Sequence, residues 1–550
     1  MCLIPEKSDR RVDSLISPAY GDGIGITDHN VYLYKEKLMN RISKAALTAL
    51  VFTSLALGGC GGGEKASGEK TVVYATTGYG REMGDAGLNP HENYSGWSTV
   101  RYGVGETLFR LSDAMTPEPW LAKHFAYVDD STVDIELREG ISFSSGRKMN
   151  GEAVKECLEA LVAKNQRAAF DLKIDRIDAT ENTVRIHTKK SCPSLIFYLC
   201  DPYAAIVDMK ADMKDGRASG TGPYVADSVT DTEIHLHKNA SYWNGSPKVD
   251  HLIVKSVTDG DAMTAALQAG NIDATYGLPY ASYPLFEDPS KFQISKVATS
   301  RNFFGQVNMH SPVMQDIRVR KAIDMAIDRD GFVNHLLAGH GEVAVGPFPK
   351  ALPFGASHVH GVSYQQEEAR KLLEEAGWKD TDGNGYVDKD GKDLTIRWLT
   401  YPGRMELPVL AELVQDNLKQ IGIKVDVECS ADHLKVLEAG NYDVYASALV
   451  TAPTGDPEYF FHTCALDQST KNRGFYHNDR LEALAKEMHQ TFDIEKRNQL
   501  AIEMQQIILD DHAFYFISYL QMGILSRKGV TGLAAHPSDY YEITAELDVQ

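Results

Sequence analysis

Val133-Asp134-Ile135-Glu136-Leu137-Arg138-Glu139-Gly140-Ile141-Ser142-Phe143-Ser144-Ser145-Gly146 opens with strict alternation. Val133, Ile135 and Leu137 point to one side and charged residues to the other, which predicts a strand with one buried face. Val184 with Ile186, and Ile234 with Leu236, repeat the pattern. Between such segments the period changes to that of a helix. Ala369, Leu372, Leu373 and Ala376 share a face that stops at Gly377; Leu410, Leu413, Val414 and Ile421 share one that stops at Gly422. Leu500, Met504, Ile507 and Ile508 make a third amphipathic face. Strands and helices interleave along the chain, so the fold class is α/β.

The 550 residues are 43% hydrophobic, 9% aromatic and 24% charged, a globular profile that excludes collagen-like and disordered chains. The length predicts more than one domain. A net charge of −20, with no basic block, argues against nucleic acid as a partner. Seven cysteines are too few for a disulfide scaffold, and no Cys-x-x-Cys spacing supports zinc or redox chemistry. Cys192 and Cys200 could bridge, but buried free thiols are the favoured reading.

Near the start, Arg41 and Lys44 precede an uncharged run, Ala45 to Leu57, and then Gly58-Gly59-Cys60. The run suits an export signal and is too short for a membrane span, which needs about 20 residues. Leu57-Gly58-Gly59-Cys60 resembles a bacterial lipobox, which implies cleavage before Cys60 and acylation of its thiol. Residues 39–59 are then the signal peptide, residues 1–38 an upstream extension, and 60–70 a Gly/Ser tether. The expected location is extracytoplasmic, held at a membrane surface by lipid.

The opening block, with Leu88-Asn89-Pro90-His91, Pro119-Trp120-Leu121-Ala122, Gly220-Thr221-Gly222-Pro223-Tyr224 and Asn239-Ala240-Ser241-Tyr242-Trp243, resembles bacterial solute-binding protein family 5 of peptide and nickel ABC importers. Leu267-Gln268-Ala269-Gly270-Asn271-Ile272-Asp273, Asp316-Ile317-Arg318-Val319-Arg320-Lys321-Ala322 and Leu372-Leu373-Glu374-Glu375-Ala376-Gly377-Trp378 continue the order. The resemblance implies a two-lobed periplasmic-binding-protein-like fold (class II, cluster C type) with a hinge and an inter-lobe cleft. Lobe one is expected over 71–308 plus 520–550 and lobe two over 309–519. The implied partners are ABC permease subunits and a small chelate or peptide; the implied state is a monomer with no cofactor and no catalysis.

Peptide-binding members place an Asp three residues before a late Asp-Pro to hold the peptide amine; before Asp456-Pro457 that position is Pro453. Ala452-Pro453 is instead similar to the nickel branch. Gln166-Arg167-Ala168-Ala169-Phe170 resembles a nickel-branch segment whose Arg holds chelator carboxylates, which implies ligand roles for Arg167 and Phe170. Asp201-Pro202 stands where that branch has a second Arg-Pro. Tyr94 and Trp97 fall in a cleft-lining segment. The family donates a His after its Asp-Pro, and His462 is nearest, with His310 second; His358 and His360 form an H-x-H on a loop. A nickel chelate is thus the expected cargo and an oligopeptide or dipeptide the alternative. Asp380-Thr381-Asp382-Gly383-Asn384-Gly385 begins like a calcium loop but has Gly391 in place of its bidentate Glu, so a turn is expected. No G-x-S-x-G, P-loop or H-E-x-x-H pattern supports the different-class rival, an extracytoplasmic hydrolase or metalloenzyme.

Overall fold

The alternating segment becomes strand Thr132–Leu137, with Val133, Ile135 and Leu137 buried. It pairs antiparallel with Ala122–Asp129 and Thr183–Thr188, and Ile174–Ala179 completes a four-stranded sheet. Helix Gly151–Lys164 starts where the Asn150 side chain accepts the Ala153 N–H, and it buries Val154, Cys157, Leu158 and Leu161. The computed structural model describes residues 68–77, 87–213, 215–404 and 406–550, and Glu69–Gln550 forms one compact unit. Cys60 and the expected export segment lie outside the described residues.

An 11-stranded sheet runs through this unit. At one end Thr71–Thr76 lies parallel to His251–Ser256 and Ala274–Tyr276, and Glu233–Lys238 and Tyr224–Val229 extend the edge. At the other end Thr395–Thr400 lies parallel to Lys424–Cys429, with helix Glu406–Gln420 as the crossover between them. Joining the ends is an antiparallel pair, Phe292–Val307 against Phe514–Arg527, in register from Phe292↔Arg527 to Gln306↔Phe514.

That register shifts between Phe303 and Phe304 and, over a longer segment, breaks between Ala298 and Asn302. The neighbours change at the break. Ser526 to Ile524 pair with Ala274–Tyr276 on one side of it, whereas Arg301–Val307 pair with Val450–Val444 on the other. Phe514, Phe516 and Tyr519 face one apolar cluster; Tyr515 and Ile517 face another, built around Trp398, Val319, Leu410 and Val414. A strand covered on both faces reads as an unbroken apolar run, as Phe514-Tyr515-Phe516-Ile517 does.

The three amphipathic faces are helices Gln366–Glu375, Glu406–Gln420 and Ile494–Asp510. Gly377 and Gly422 follow the first two with φ of +89° and +79°, the left-handed turn their position predicts. Asp380 and Asp382 accept backbone N–H bonds from Gly383, Gly385 and Asn384, as turn residues do. Cys157, Cys192, Cys200 and Cys464 are buried free thiols, and Cys429 is exposed and free.

Gly220 and Gly222 bring two backbones together: a Cβ on Gly222 would stand 2.3 Å from the Gly103 carbonyl oxygen. Gly222→Ala should therefore cost about 1–3 kcal/mol, read as a lower urea midpoint in equilibrium unfolding. An unchanged midpoint would show that the two segments separate freely.

Candidate functional site

At the register break the long strands turn a cation and several apolar groups toward one cavity. Thr299, Arg301, Leu520 and Met522 come from the strand pair, and Val450 from the neighbouring strand. Trp97 lies on helix Ser95–Arg101, Tyr276 ends the short strand Ala274–Tyr276, and Ser538, Asp539 and Tyr540 come from the C-terminal return. Elements far apart in sequence meet here because the strand pair carries the sheet through the middle of the unit.

Beneath the cavity the charges are closely balanced. Arg101 pairs with Asp539 and approaches Glu542 at 3.3 Å, and Tyr74 donates to Glu542 at 2.6 Å. Burial pushes the Asp539 and Glu542 carboxyls up, against the pull of Arg101. Asp539 Oδ1 and Glu542 Oε1 are buried without a hydrogen-bond partner. Arg301 differs from Arg101. Among the described residues no hydrogen bond or ion pair holds its guanidinium, and burial together with the Arg404 charge lowers its pKa. An ion without a direct partner, in a partly desolvated wall, is a receptor for an anion from outside. Trp97, Tyr276 and Tyr540 add flat apolar walls, with Trp97 and Tyr540 rings 6.3 Å apart.

The residues expected from sequence are dispersed. Trp97 lines the cavity; Tyr94 packs on Trp97 at 5.5 Å but is 42% exposed. Arg167, in helix Gln166–Leu172, is already partnered. It pairs with buried Asp201, lies 3.6 Å from Asp171 and sits 5.1 Å from the Tyr203 ring centre. The Asp that replaces the second Arg thus consumes the charge of the first. Burial pushes Asp171 up to about 6 despite Arg167. Phe170 is 78% exposed and is not among the residues lining the Arg301 cavity. His310 is exposed and stacks on Phe475 at 4.3 Å; His358 and His360 are exposed. His462 lies 2.9 Å from Glu458.

Arg301, Tyr276, Asp539 and Tyr540 were not expected. One signal existed for Arg301: a cation two residues before the apolar Phe303-Phe304 of a long strand. No sequence signal brings the C-terminal return beside it.

Pro453 is held by Tyr540, which donates to its carbonyl at 2.8 Å. Asp456 is fully buried and bonded twice by Arg497, at 2.7 and 2.9 Å. The late Asp-Pro therefore serves a buried ion pair.

Residues 116–472 match the family described as bacterial extracellular solute-binding proteins, family 5 middle. The nickel-binding protein NikA of Staphylococcus aureus is 28% identical over 82% of this chain and 90% of its own. Its structure in complex with Ni(L-His)2 superposes with a TM-score of 0.69, at 26% identity over 88% of this chain and 100% of that one. The oligopeptide-binding protein AppA of Bacillus subtilis is 30% identical over 74% of this chain and 79% of its own. A nickel ABC transporter structure from Bacillus halodurans superposes with a TM-score of 0.78, at 29% identity, covering 88% of this chain and 100% of that one. With this length matched and the sheet crossing between two halves, the chain belongs to the bacterial extracellular solute-binding proteins of family 5, the two-lobed capture proteins of ABC importers.

Proposed function

We propose that the protein captures a nickel chelate bearing carboxylate groups and delivers it to membrane permease subunits, without transforming it. The observation that carries this reading is the guanidinium of Arg301, without a hydrogen-bond or ion-pair partner among the described residues, in the aromatic-walled cavity. A chelator such as histidine offers nickel(II) an imidazole and an amine, and leaves carboxylate oxygen for a guanidinium fork. The lone acceptor Asp539 Oδ1 suits an N–H of the coordinated amine. Similarity to NikA supports the same cargo.

Similarity to AppA favours a second reading, an oligopeptide laid in the cleft by main-chain bonds. Pro453 speaks against it, because it has no anion for the peptide amine and burying that amine unpaired costs several kcal/mol.

For motion, the hinge is assigned to the irregular segment Ala298–Asn302 and its partner Tyr519–Gln521. The lobe boundary then lies inside the long strand, ahead of residue 308. Lipidation at Cys60 would keep the closed protein near its permease and raise its effective concentration there.

Thermal-shift measurements on the full chain separate the cargoes, since a ligand of the folded state raises the melting point. Nickel(II) with histidine should stabilise, and a dipeptide panel should not. Stabilisation by peptides alone would overturn the nickel assignment. Arg301→Ala should weaken chelate binding at least about tenfold, equivalent to about 1.4 kcal/mol, in calorimetric titration; an unchanged Kd removes Arg301 from the site. Arg167→Ala leaves Asp201 buried without its cation, so it should lower the melting point while the folded protein still binds the chelate.

A further inference from the structure

We propose that Glu458, His462 and His489 form a separate site for a chelator-free divalent transition-metal ion. Glu458 Oε1 lies 2.9 Å from His462 Nε2 and 2.7 Å from His489 Nδ1. One ligand atom from each residue falls within 4.8 Å of the other two. Two imidazoles and one carboxylate are a donor set suited to zinc, cobalt, nickel or copper, with room for water in the remaining positions. None of the three residues lines the Arg301 cavity.

The carboxylate is oriented for this work. Glu458 is buried, and its other oxygen, Oε2, is held by Arg497 at 3.0 Å and by the Ser194 hydroxyl at 3.1 Å. Arg497 is itself anchored on Asp456 and on the Met488 carbonyl. Oε1 is thereby aimed at the two rings. Burial alone would raise the Glu458 pKa, yet the hydrogen bonds from His462 and His489 and the Arg497 charge hold it well below the usual carboxylate range. A ligand oxygen fixed from behind by a buried cation is an outer-shell arrangement of the kind that orients metal ligands.

Access is open. His462 is exposed and His489 half-exposed, while Glu458 forms the floor. His462 belongs to the irregular turn Phe461–Ala465 and His489 ends helix Asp479–Met488, so the ion would bridge two segments 27 positions apart. In its absence both rings bond the same carboxylate oxygen.

The test uses the full chain and cobalt(II) chloride without any chelator, following the visible ligand-field bands and calorimetric stoichiometry, with zinc chloride as competitor. One cobalt per chain is expected, displaced by zinc. Removing an outer-shell partner already weakens metal sites by roughly 10–100-fold, so His462→Ala and His489→Ala should each lower affinity by about 100-fold. His489→Gln, which keeps a polar side chain at the helix end, guards against a folding artefact, and circular dichroism confirms the fold. The bands should persist in Arg301→Ala, which keeps this site distinct from the chelate cavity. Absence of cobalt uptake by the wild-type chain overturns the proposal. So does retention of the bands and affinity in either alanine variant.

Discussion

The strand pair Phe292–Val307 and Phe514–Arg527 is the constraint on which the unit depends. It carries hydrogen bonding from one end of the large sheet to the other, and its two ends answer to different neighbours. Antiparallel ladders fix side-chain direction with a period of two, and the irregular segment between Ala298 and Asn302 interrupts that ladder where Arg301 reaches the cavity. The same feature that loosens the ladder thus positions the cation.

Two buried carboxylate–guanidinium assemblies show how similar motifs serve different ends. Arg497 spends its fork on Asp456 and Glu458 and on the hydroxyl of Ser194. Arg167 is satisfied by Asp201 and Asp171. Asp456, Glu458, Arg497 and Asp201 are withdrawn from water, whereas Arg167 keeps one side in solvent; breaking a buried pair costs far more than its net contribution to stability. Arg301 has no such partner among the described residues and keeps its binding capacity. An arginine's place in a recognition motif says little until its countercharges are located.

The fold was largely legible in the sequence because period and punctuation are local properties. Val133, Ile135 and Leu137 alternate, and Gly377 and Gly422 stop helical faces, without reference to anything distant. The cavity was less legible. Trp97 was found through its neighbours in a familiar segment, but Asp539 and Tyr540 enter from the C-terminal return, more than 400 positions away. Arg167 and Phe170 illustrate the reverse: a matching segment whose surroundings have changed. The replacement at Asp201 was visible, yet its consequence required knowing that the two side chains meet. Glu458 and His489 were silent for the same reason, since their proximity is created by packing of helix Asp479–Met488.

The pairing of Phe292 with Arg527 and of Thr71 with His251 has a bearing on biogenesis. A chain emerging N-terminus first lays down most of its strands before the one that joins them exists. Until residues 514–527 arrive, Phe303 and Phe304 lack the strand that pairs beside them. Long-range pairing of this sort is slow to nucleate, and exposed strand edges invite association in the interval. The five described cysteines stay unpaired, so no oxidative step locks an early intermediate. The last strand of the large sheet to be made is therefore the keystone of maturation, and protection of the nascent polypeptide must extend nearly to its end.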